Sequence, residues 1–345
     1  MTGFQVLVIG AHPLALPVIS HLLQSRQCAG IVLHRMQQAE RAYLAPLAES
    51  QQIPCHIIDP THFRQSIFDI LTQSRQIEAV YVLGFPYRIP SELLSIPPKG
   101  WWNFHFGRLP SYRGSDPIFW QIRNRETQGA LCVHKMTDQI LQGPLAYRQS
   151  IPIYPEETYG MHATRVIHAL PEAISYMNRL LTRPTDPMLL DQEESYIIDA
   201  NSPTAGDLVI NWDLPRSEIL ALIRAANPGY GGARSLIKQW DIRILDAAEA
   251  TGSDFPQVAP GTIVKADRYH GLWVLCKDRT QLKIRVAATV AGVLSGKQLI
   301  NLGFRVGDRF ESNPPKDPSI SIPLQQFSIQ SFAANGQSTP ENIGR

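Results

Sequence analysis

The sequence predicts an α/β protein: a Rossmann-like, doubly wound parallel sheet followed by a smaller C-terminal β-barrel of the OB-like type. Three observations support this prediction. Short apolar runs alternate with helical patterns in the first half of the chain, which is typical of βαβ units. A polar, proline-containing stretch follows. The second half then carries short strand patterns separated by turn residues, which favour a small barrel.

The first half begins with an apolar run, Phe4–Ile9, that ends at Gly10. Such a run is typical of a strand buried on both faces. Since Gly10 has no companions in a Gly-x-Gly-x-x-Gly pattern, the sequence excludes a dinucleotide fingerprint. Further predicted strands are Ile31–Leu33, Cys55–Ile58 and Ala79–Leu83, and the predicted helices are Leu14–Gln24, Arg41–Gln51 and His62–Ser74.

The later chain divides at its polar stretches. A long helix over Thr158–Leu181 closes the first predicted domain, residues 1–182. Residues 183–206 are rich in Pro, Asp, Glu and Ser, which predicts a linker. Residues 207–311 form the predicted barrel domain, and the tail at 312–345 is expected to be partly disordered. The predicted elements of the barrel domain are a helix at Ile219–Arg224 and strands at Ile242–Leu245, Thr262–Lys265, Leu272–Cys276 and Gln281–Val286.

Composition limits the classes of function. The 345 residues are 44% apolar and 18% charged, with a formal net charge of +2, so the chain lacks the global positive field of many nucleic-acid-binding proteins. No apolar run approaches the ~20 residues of a membrane span. The four cysteines form no C-x-x-C pair, and we expect them to be small buried residues rather than metal ligands or disulfides. We expect no signal peptide and a cytoplasmic location.

A candidate reaction centre lies at Asn103 and His105. Residues two apart in an extended segment point to the same face, so these two side chains should lie together. An amide that donates to an oxyanion, beside an imidazole that handles a proton, suits acyl transfer. Such a pair also occurs at strand ends for purely structural reasons, and both interpretations remain open from spacing alone.

The surrounding residues resemble the folate-dependent formyltransferase family. Its signature is Asn-x-His-x-Ser-Leu-Leu-Pro-x-x-Arg-Gly, and residues 103–114 of this chain differ from it at Gly107 and Arg108. The opening strand and turn are also similar to that family. The C-terminal half resembles the second domain of its methionyl-tRNA formyltransferases at Asn211-Trp212, Ile223–Pro228 and Pro260–Ile263.

The resemblance implies specific roles. The co-substrate would be 10-formyltetrahydrofolate, with no metal. Asn103 would donate to the oxyanion of the tetrahedral intermediate, and His105 would position or relay the proton. The turn at 84–90 would correspond to a pteridine loop. The residues expected to contact folate are Phe85, Pro86, Tyr87, Arg88, Ile89, Leu109, Pro110 and Leu141.

One family residue is missing. The family's third catalytic residue is an Asp in a loop that is similar to residues 136–145. When that loop is matched at Met136 and Gly143, the position of the Asp falls on Leu141. Leucine cannot accept a proton, and loss of a positioned base typically costs about 10²- to 10⁴-fold in rate. Asp138, on the same loop, is the replacement we predict as a third catalytic residue, and Asp116 is a second candidate. Both are also explained as ordinary loop and turn carboxylates. The resemblance therefore implies formyl transfer that is weakened or altered.

The acceptor stays open among three hypotheses. The segment Leu33–Arg41 carries two arginines and no glycine, where tRNA-formylating members carry a basic, glycine-rich insertion. Residues 205–311 hold 14 Lys/Arg against 11 Asp/Glu, a weak bias for phosphate contacts. We expect a small amine such as an amino-sugar nucleotide. The alternatives are a methionyl-tRNA formyltransferase and a non-enzymatic paralogue that binds folate or a partner. The oligomeric state is not predicted.

Overall fold

The computed structural model describes residues 4–10, 15–34, 38–74, 76–85, 87–185, 187–193, 197–238, 240–252 and 257–312. Contacts divide the chain into two compact units. The first consists of residues 1–121, 126–154 and 161–202, and the second of residues 122–125, 155–160 and 203–345. Most of the predicted disordered tail, residues 313–345, lies outside the described residues. The domain boundaries given above stay predictions.

The first unit is built on a seven-stranded sheet with helices on its faces. The strands are β1 (Val6–Gly10), β2 (Cys28–His34), β3 (Cys55–Ile58), β4 (Ala79–Leu83), β5 (Trp101–His105), β6 (Gln128–Lys135) and β7 (Leu145–Pro152). The helices are α1 (Ala15–Gln24), α2 (Gln38–Ser50), α3 (Phe63–Gln73), α4 (Ser91–Leu94) and most of α5 (Pro117–Arg123) and α6 (Tyr159–Leu181), which each have two terminal residues in the second unit. Spatial order is β3-β2-β1-β4-β5-β6-β7.

The predicted doubly wound α/β sheet is confirmed, with one difference at its edge. Strands β1 to β5 pair in parallel, whereas β6 and β7 run antiparallel to their neighbours. The connection between β6 and β7 is short, and a short connection can join only antiparallel strands. The sheet is therefore mixed rather than wholly parallel.

Burial explains the continuous apolar runs. Every residue of β1 and of β4 is buried, as expected for strands covered on both faces. A large cluster includes Leu7, Val80 and Trp101 from the sheet and Ile67 from α3. Burying side chains of this size contributes roughly 1.5–3 kcal/mol each. This core holds Trp101, the first residue of β5, which is the strand that carries Asn103 and His105.

The second unit holds a curled antiparallel sheet, as the strand patterns predicted. Its elements are α7 (Arg216–Ala226), α8 (Gly296–Leu299), β8 (Ala233–Ile237), β9 (Trp240–Ala250), β10 (Ile263–Asp267), β11 (Gly271–Leu275), β12 (Gln281–Thr289), β13 (Gly292–Ser295) and β14 (Phe310–Glu311). The strand order is β10-β11-β12-β9-β8-β14, with β13 paired to β12. Backbone hydrogen bonds join Ile263 to Gly307 and Asp308, and Gly261 to Phe310, so the two ends of the sheet meet.

Trp212, from the Asn211-Trp212 pair that resembles the family's second domain, packs in the core of this second unit. Trp212 is fully buried, stacks on Phe310 with ring centroids 5.1 Å apart, and donates its indole N–H to Ser235 Oγ at 2.9 Å. The indole ring thus fills the core while its buried N–H keeps a hydrogen-bond partner. Within the part of the chain that the structure describes, no helix combines the length and the hydropathy of a membrane span.

Candidate active site

The candidate site lies where β5 meets β6. Asn103 and His105 occupy alternate positions of β5, so they share a face of the sheet, as their spacing predicted. Because β6 is antiparallel to β5, it places His134 opposite Asn103 and Cys132 opposite His105. Directly opposed residues lie within side-chain reach on one face. The strands thus assemble an amide and two imidazoles.

Hydrogen bonds fix the orientation of the Asn103 amide. His134 Nδ1 lies 3.0 Å from the carbonyl oxygen of Lys135, which can only accept, so Nδ1–H donates. In the neutral ring Nε2 is then an acceptor, and it receives a hydrogen bond from Asn103 Nδ2 at 3.1 Å. An amide nitrogen carries two hydrogens. The second hydrogen can donate to a developing oxyanion.

Both imidazoles are held neutral. The pKa of His105 is lowered to about 4, mainly by burial, with smaller contributions from the neighbouring His134 and Arg113 and against the opposing effect of a hydrogen bond to the carbonyl of Tyr112. That bond, from His105 Nε2, is 2.8 Å long. Since Nε2 donates, Nδ1 keeps its lone pair and can accept a proton. Burial, with Arg113, also lowers the pKa of His134 to about 4.

These pKa shifts predict a stability that falls in acid. The ordinary pKa of histidine is 6.5 and both folded values are about 4, so the unfolded chain binds protons first as the pH falls. Stability should be intact above about pH 6.5 and decrease towards pH 4, by up to roughly 3 kcal/mol for each ring. The midpoint of denaturant unfolding, followed from pH 7 to pH 4.5, measures this loss of stability.

Variants separate these two rings from other acid-sensitive groups. The variant His134→Gln should flatten part of the pH dependence, because its amide does not titrate. His168 is exposed on α6, and His168→Gln should keep the wild-type dependence. If the unfolding midpoint changed equally with pH in the wild type, in His134→Gln and in His168→Gln, the burial argument would be contradicted.

The loop at residues 137–143 brings Leu141 towards the same face. Leu141 is half-buried and packs against a cluster formed by Leu109, Ala130, Cys132 and Leu145. Its φ is +57°, a conformation that is uncommon for residues other than glycine and several-fold enriched in Asn and Asp. The backbone at this position therefore suits an aspartate better than the leucine present.

The two carboxylates that we considered as replacements occupy different positions. Asp138 is exposed, and its main-chain carbonyl accepts a hydrogen bond from Arg88 at 2.9 Å. Asp116 is buried, and its Oδ1 accepts from the backbone N–H of Phe119 at 3.2 Å, so it caps the N-terminus of α5. Asp116 thus has a structural role. The catalytic role of Asp138 stays a prediction.

The predicted pteridine loop is partly buried. Phe85 packs against the ring of Phe63 at 4.8 Å and that of Tyr87 at 5.4 Å. Ile89 is buried and Tyr87 is 42% exposed. Pro86 lies outside the described residues. The hydrogen bond from Arg88 joins this loop to the loop that carries Leu141. Of the two remaining predicted contacts, Leu109 is fully buried and Pro110 is half-buried.

Gly107 occupies a position where a side chain does not fit. A Cβ there would lie 2.5 Å from Pro117 Cβ and 2.8 Å from His105 Nε2. We expect Gly107→Ser to destabilise the protein by about 1–3 kcal/mol, because it overpacks a buried site. Thermal and denaturant unfolding measure the loss. Gly206 is exposed and has its nearest neighbour at 3.7 Å, so Gly206→Ala is the matched control. Similar stability of both variants would contradict the prediction.

Two polar residues of this region were not found from the sequence. His134 lies in an apolar run, Gln128–Lys135, that gives no sign of its register against β5. Gln192 comes from the predicted linker and reaches the carbonyls of Leu141 and Gly143. Only knowledge of long-range pairing would have identified either one. Among the described residues, no group of three or more His, Cys, Asp or Glu is arranged to hold a metal ion.

Sequence families match both halves of the chain. Residues 4–177 match the family described as formyl transferase, and residues 204–300 match the formyl transferase C-terminal domain. A methionyl-tRNA formyltransferase of Dictyoglomus turgidum is 27% identical over 270 residues, which are 77% of this chain and 84% of that protein. Another, from Thermotoga sp. strain RQ2, is 24% identical over 324 residues, which are 89% and 100% of the two chains.

Solved structures share the fold at lower identity. An N-formyltransferase from Helicobacter canadensis, in complex with folinic acid and dTDP-3-aminofucose, has a TM-score of 0.59 and 15% identity over 81% of this chain and 98% of that one. HypX from Aquifex aeolicus, in complex with tetrahydrofolic acid, has a TM-score of 0.53 and 13% identity over 86% and 46% of the chains. At these identities the likeness concerns the fold.

Proposed function

The chain belongs to the formyl transferase family, and from this premise we propose that it binds a formyltetrahydrofolate at the Asn103–His105 site and transfers the formyl group weakly or in an altered way. The proposed donor is 10-formyltetrahydrofolate, and the proposed acceptor is a small amine such as an amino-sugar nucleotide. In this reaction the amine nitrogen attacks the formyl carbon, and the carbonyl oxygen becomes an oxyanion. The oxyanion then collapses and the bond to N10 breaks, and N10 takes up the proton that the amine has lost and leaves as tetrahydrofolate.

The observation that carries the proposal is the oriented Asn103 amide beside a neutral His105. Asn103 Nδ2 is held by His134, and its second hydrogen is the group that would meet the oxyanion. A neutral imidazole can accept the proton that the attacking amine loses, which an imidazolium cannot. The low pKa of His105 keeps the ring in that form at neutral pH.

The weakened activity follows from Leu141. A buried imidazole that takes up a proton becomes a cation in an apolar site, and a nearby carboxylate would offset that cost. Leu141 supplies no charge, and the cluster around it is apolar. Arg113 adds a positive charge that opposes protonation of both rings. The barrier to proton transfer should therefore be higher than in a site that holds an aspartate.

The small amine is favoured over tRNA by charge. Dense phosphate contacts need clustered cations. Arg279, Lys283 and Arg285 lie close together in the sequence of the second unit, and the Arg285 guanidinium lies 3.7 Å from the Asp246 carboxylate, which offsets its charge. The N-formyltransferase from Helicobacter canadensis was solved in complex with dTDP-3-aminofucose, an amino-sugar nucleotide. The curated relatives are named methionyl-tRNA formyltransferases, which keeps that acceptor as the second candidate. A non-enzymatic folate-binding protein is the third.

An acceptor panel tests the proposal. The full-length protein is incubated with 10-formyltetrahydrofolate and, separately, with an amino-sugar nucleotide, methionyl-tRNA or buffer, and the release of tetrahydrofolate is followed. We expect slow release that depends on the small amine. Rapid turnover with any physiological amine would refute the weakened activity. Salt-sensitive turnover with methionyl-tRNA alone would favour the second candidate, and folate binding without turnover would favour the third.

A further inference from the structure

A segment that the sequence predicted to be a linker is fastened along the first unit. Leu190 and Leu145 exchange two backbone hydrogen bonds, of 2.7 and 2.9 Å, so residues around Leu190 extend the sheet next to β7. Two residues further on, Gln192 is half-buried between the exposed Asp191 and Glu193. A half-buried amide in an otherwise exposed stretch needs polar partners.

Gln192 forms hydrogen bonds with three partners, through both amide hydrogens and the amide oxygen. Its Nε2 donates to the main-chain oxygen of Leu141 at 3.0 Å and to that of Gly143 at 2.7 Å. Its Oε1 accepts from the Arg113 guanidinium at 3.1 Å. Two donors and one acceptor on one planar group are a property of an amide. A carboxylate of the same size would repel both carbonyls, and an apolar side chain would leave them without this donor.

The loop that Gln192 holds, residues 137–143, ends with a close approach of the Gly143 backbone to that of Lys135. A Cβ at Gly143 would lie within 2 Å of the carbonyl oxygen of Lys135, so the backbone returns closely along β6. Leu141, two residues earlier, has a left-handed backbone, which needs support from its surroundings. The amide of Gln192 supplies that support at both carbonyls.

The predicted linker also contacts the end of the family signature, residues 103–114, at Arg113. The backbone of Arg113 forms a bridge with residues 199–200, because the Ala200 N–H donates to the Arg113 carbonyl at 2.6 Å. The Asp116 N–H donates in turn to the Ala200 carbonyl at 2.7 Å. Gln192 therefore links two loops, one that carries Arg113 and one that carries Leu141.

We propose that Gln192 is a positioning residue, which fixes residues 141–143 over the Asn103–His134 face and ties them to Arg113. The part of this inference that concerns folate rests on the proposed function. The part that concerns the loop does not. Gln192 acts through the backbone it holds, and no chemistry is assigned to its own side chain.

Hydrogen–deuterium exchange without any ligand tests the positioning directly. The variants are Gln192→Leu and Gln192→Glu, and the matched control is Gln142→Leu, since Gln142 is exposed on the same loop. We expect amide exchange over residues 137–143 to accelerate about tenfold or more in both Gln192 variants, because two hydrogen bonds are lost. Exchange in β4 and β5 should not change. Wild-type exchange in Gln192→Leu would overturn the proposal.

Affinity for folinic acid separates positioning from simple support of the fold. Under conditions where all proteins remain folded, we expect both Gln192 variants to bind it about tenfold more weakly, and Gln142→Leu to bind as the wild type does. Accelerated exchange with unchanged affinity would overturn the role at the site. If the wild-type protein does not bind folinic acid, the proposed function fails, and the exchange experiment alone decides whether Gln192 fixes the loop.

Discussion

Replacing Leu141 with aspartate is expected to raise the rate of formyl transfer by about 10²- to 10⁴-fold. The backbone of Leu141 already has the left-handed conformation that aspartate tolerates better than leucine. A carboxylate there would stabilise the imidazolium that forms when His105 takes a proton from the amine. Single-turnover transfer from 10-formyltetrahydrofolate to the acceptor panel measures the gain.

The variant Leu141→Asn is the control for shape. Its side chain has the size and backbone preference of aspartate but carries no charge. It should stay within about threefold of the wild type if charge is the missing element. Equal gains in both variants would show that the bulk of the leucine, rather than the missing carboxylate, limits the wild-type protein.

Replacing Asn103 with leucine in the Leu141→Asp background should lower the rate about 10²- to 10³-fold. Loss of one oxyanion donor has an effect of this size in comparable sites. The substitution also leaves His134 Nε2 without the partner it has at 3.1 Å, so we expect a loss of about 1–3 kcal/mol in stability. Rate and unfolding midpoint are measured on the same preparation.

A second substitution distinguishes the oxyanion role from the structural one. His134→Leu removes the partner that orients Asn103 but leaves the amide in place, so the rate should fall less than in Asn103→Leu while stability changes by a similar amount. A rate in Asn103→Leu that stays within about threefold of its background would contradict the oxyanion role.

Much of the first unit was predictable because its strands are buried on both faces. The predicted bounds of Cys55–Ile58 and Ala79–Leu83 agree with those observed, and the long helix differs by one residue. Continuous burial gives a strong local signal. The direction of β6 and β7 was not predictable, since direction depends on the connection and not on the composition of a strand.

The site was predictable from the sequence only for residues that are close together along the chain. Asn103 and His105 share a face because they are two residues apart in a strand, and spacing alone indicates this. His134 joins them through the register of β6, which depends on how residues 106–127 fold between the strands. Gln192 is about fifty residues from the loop it holds. No pattern within its own segment reports that contact.

Calorimetric titration of the wild-type protein and of Leu141→Asp with folinic acid tests the central claim, that a folate cleft is retained around Asn103 and His105 and that the loss is confined to Leu141. The account predicts saturable 1:1 binding to both proteins, with Kd values within about fivefold of each other. Absence of binding to both folded proteins would contradict it, because the fold would then have been reused for another ligand.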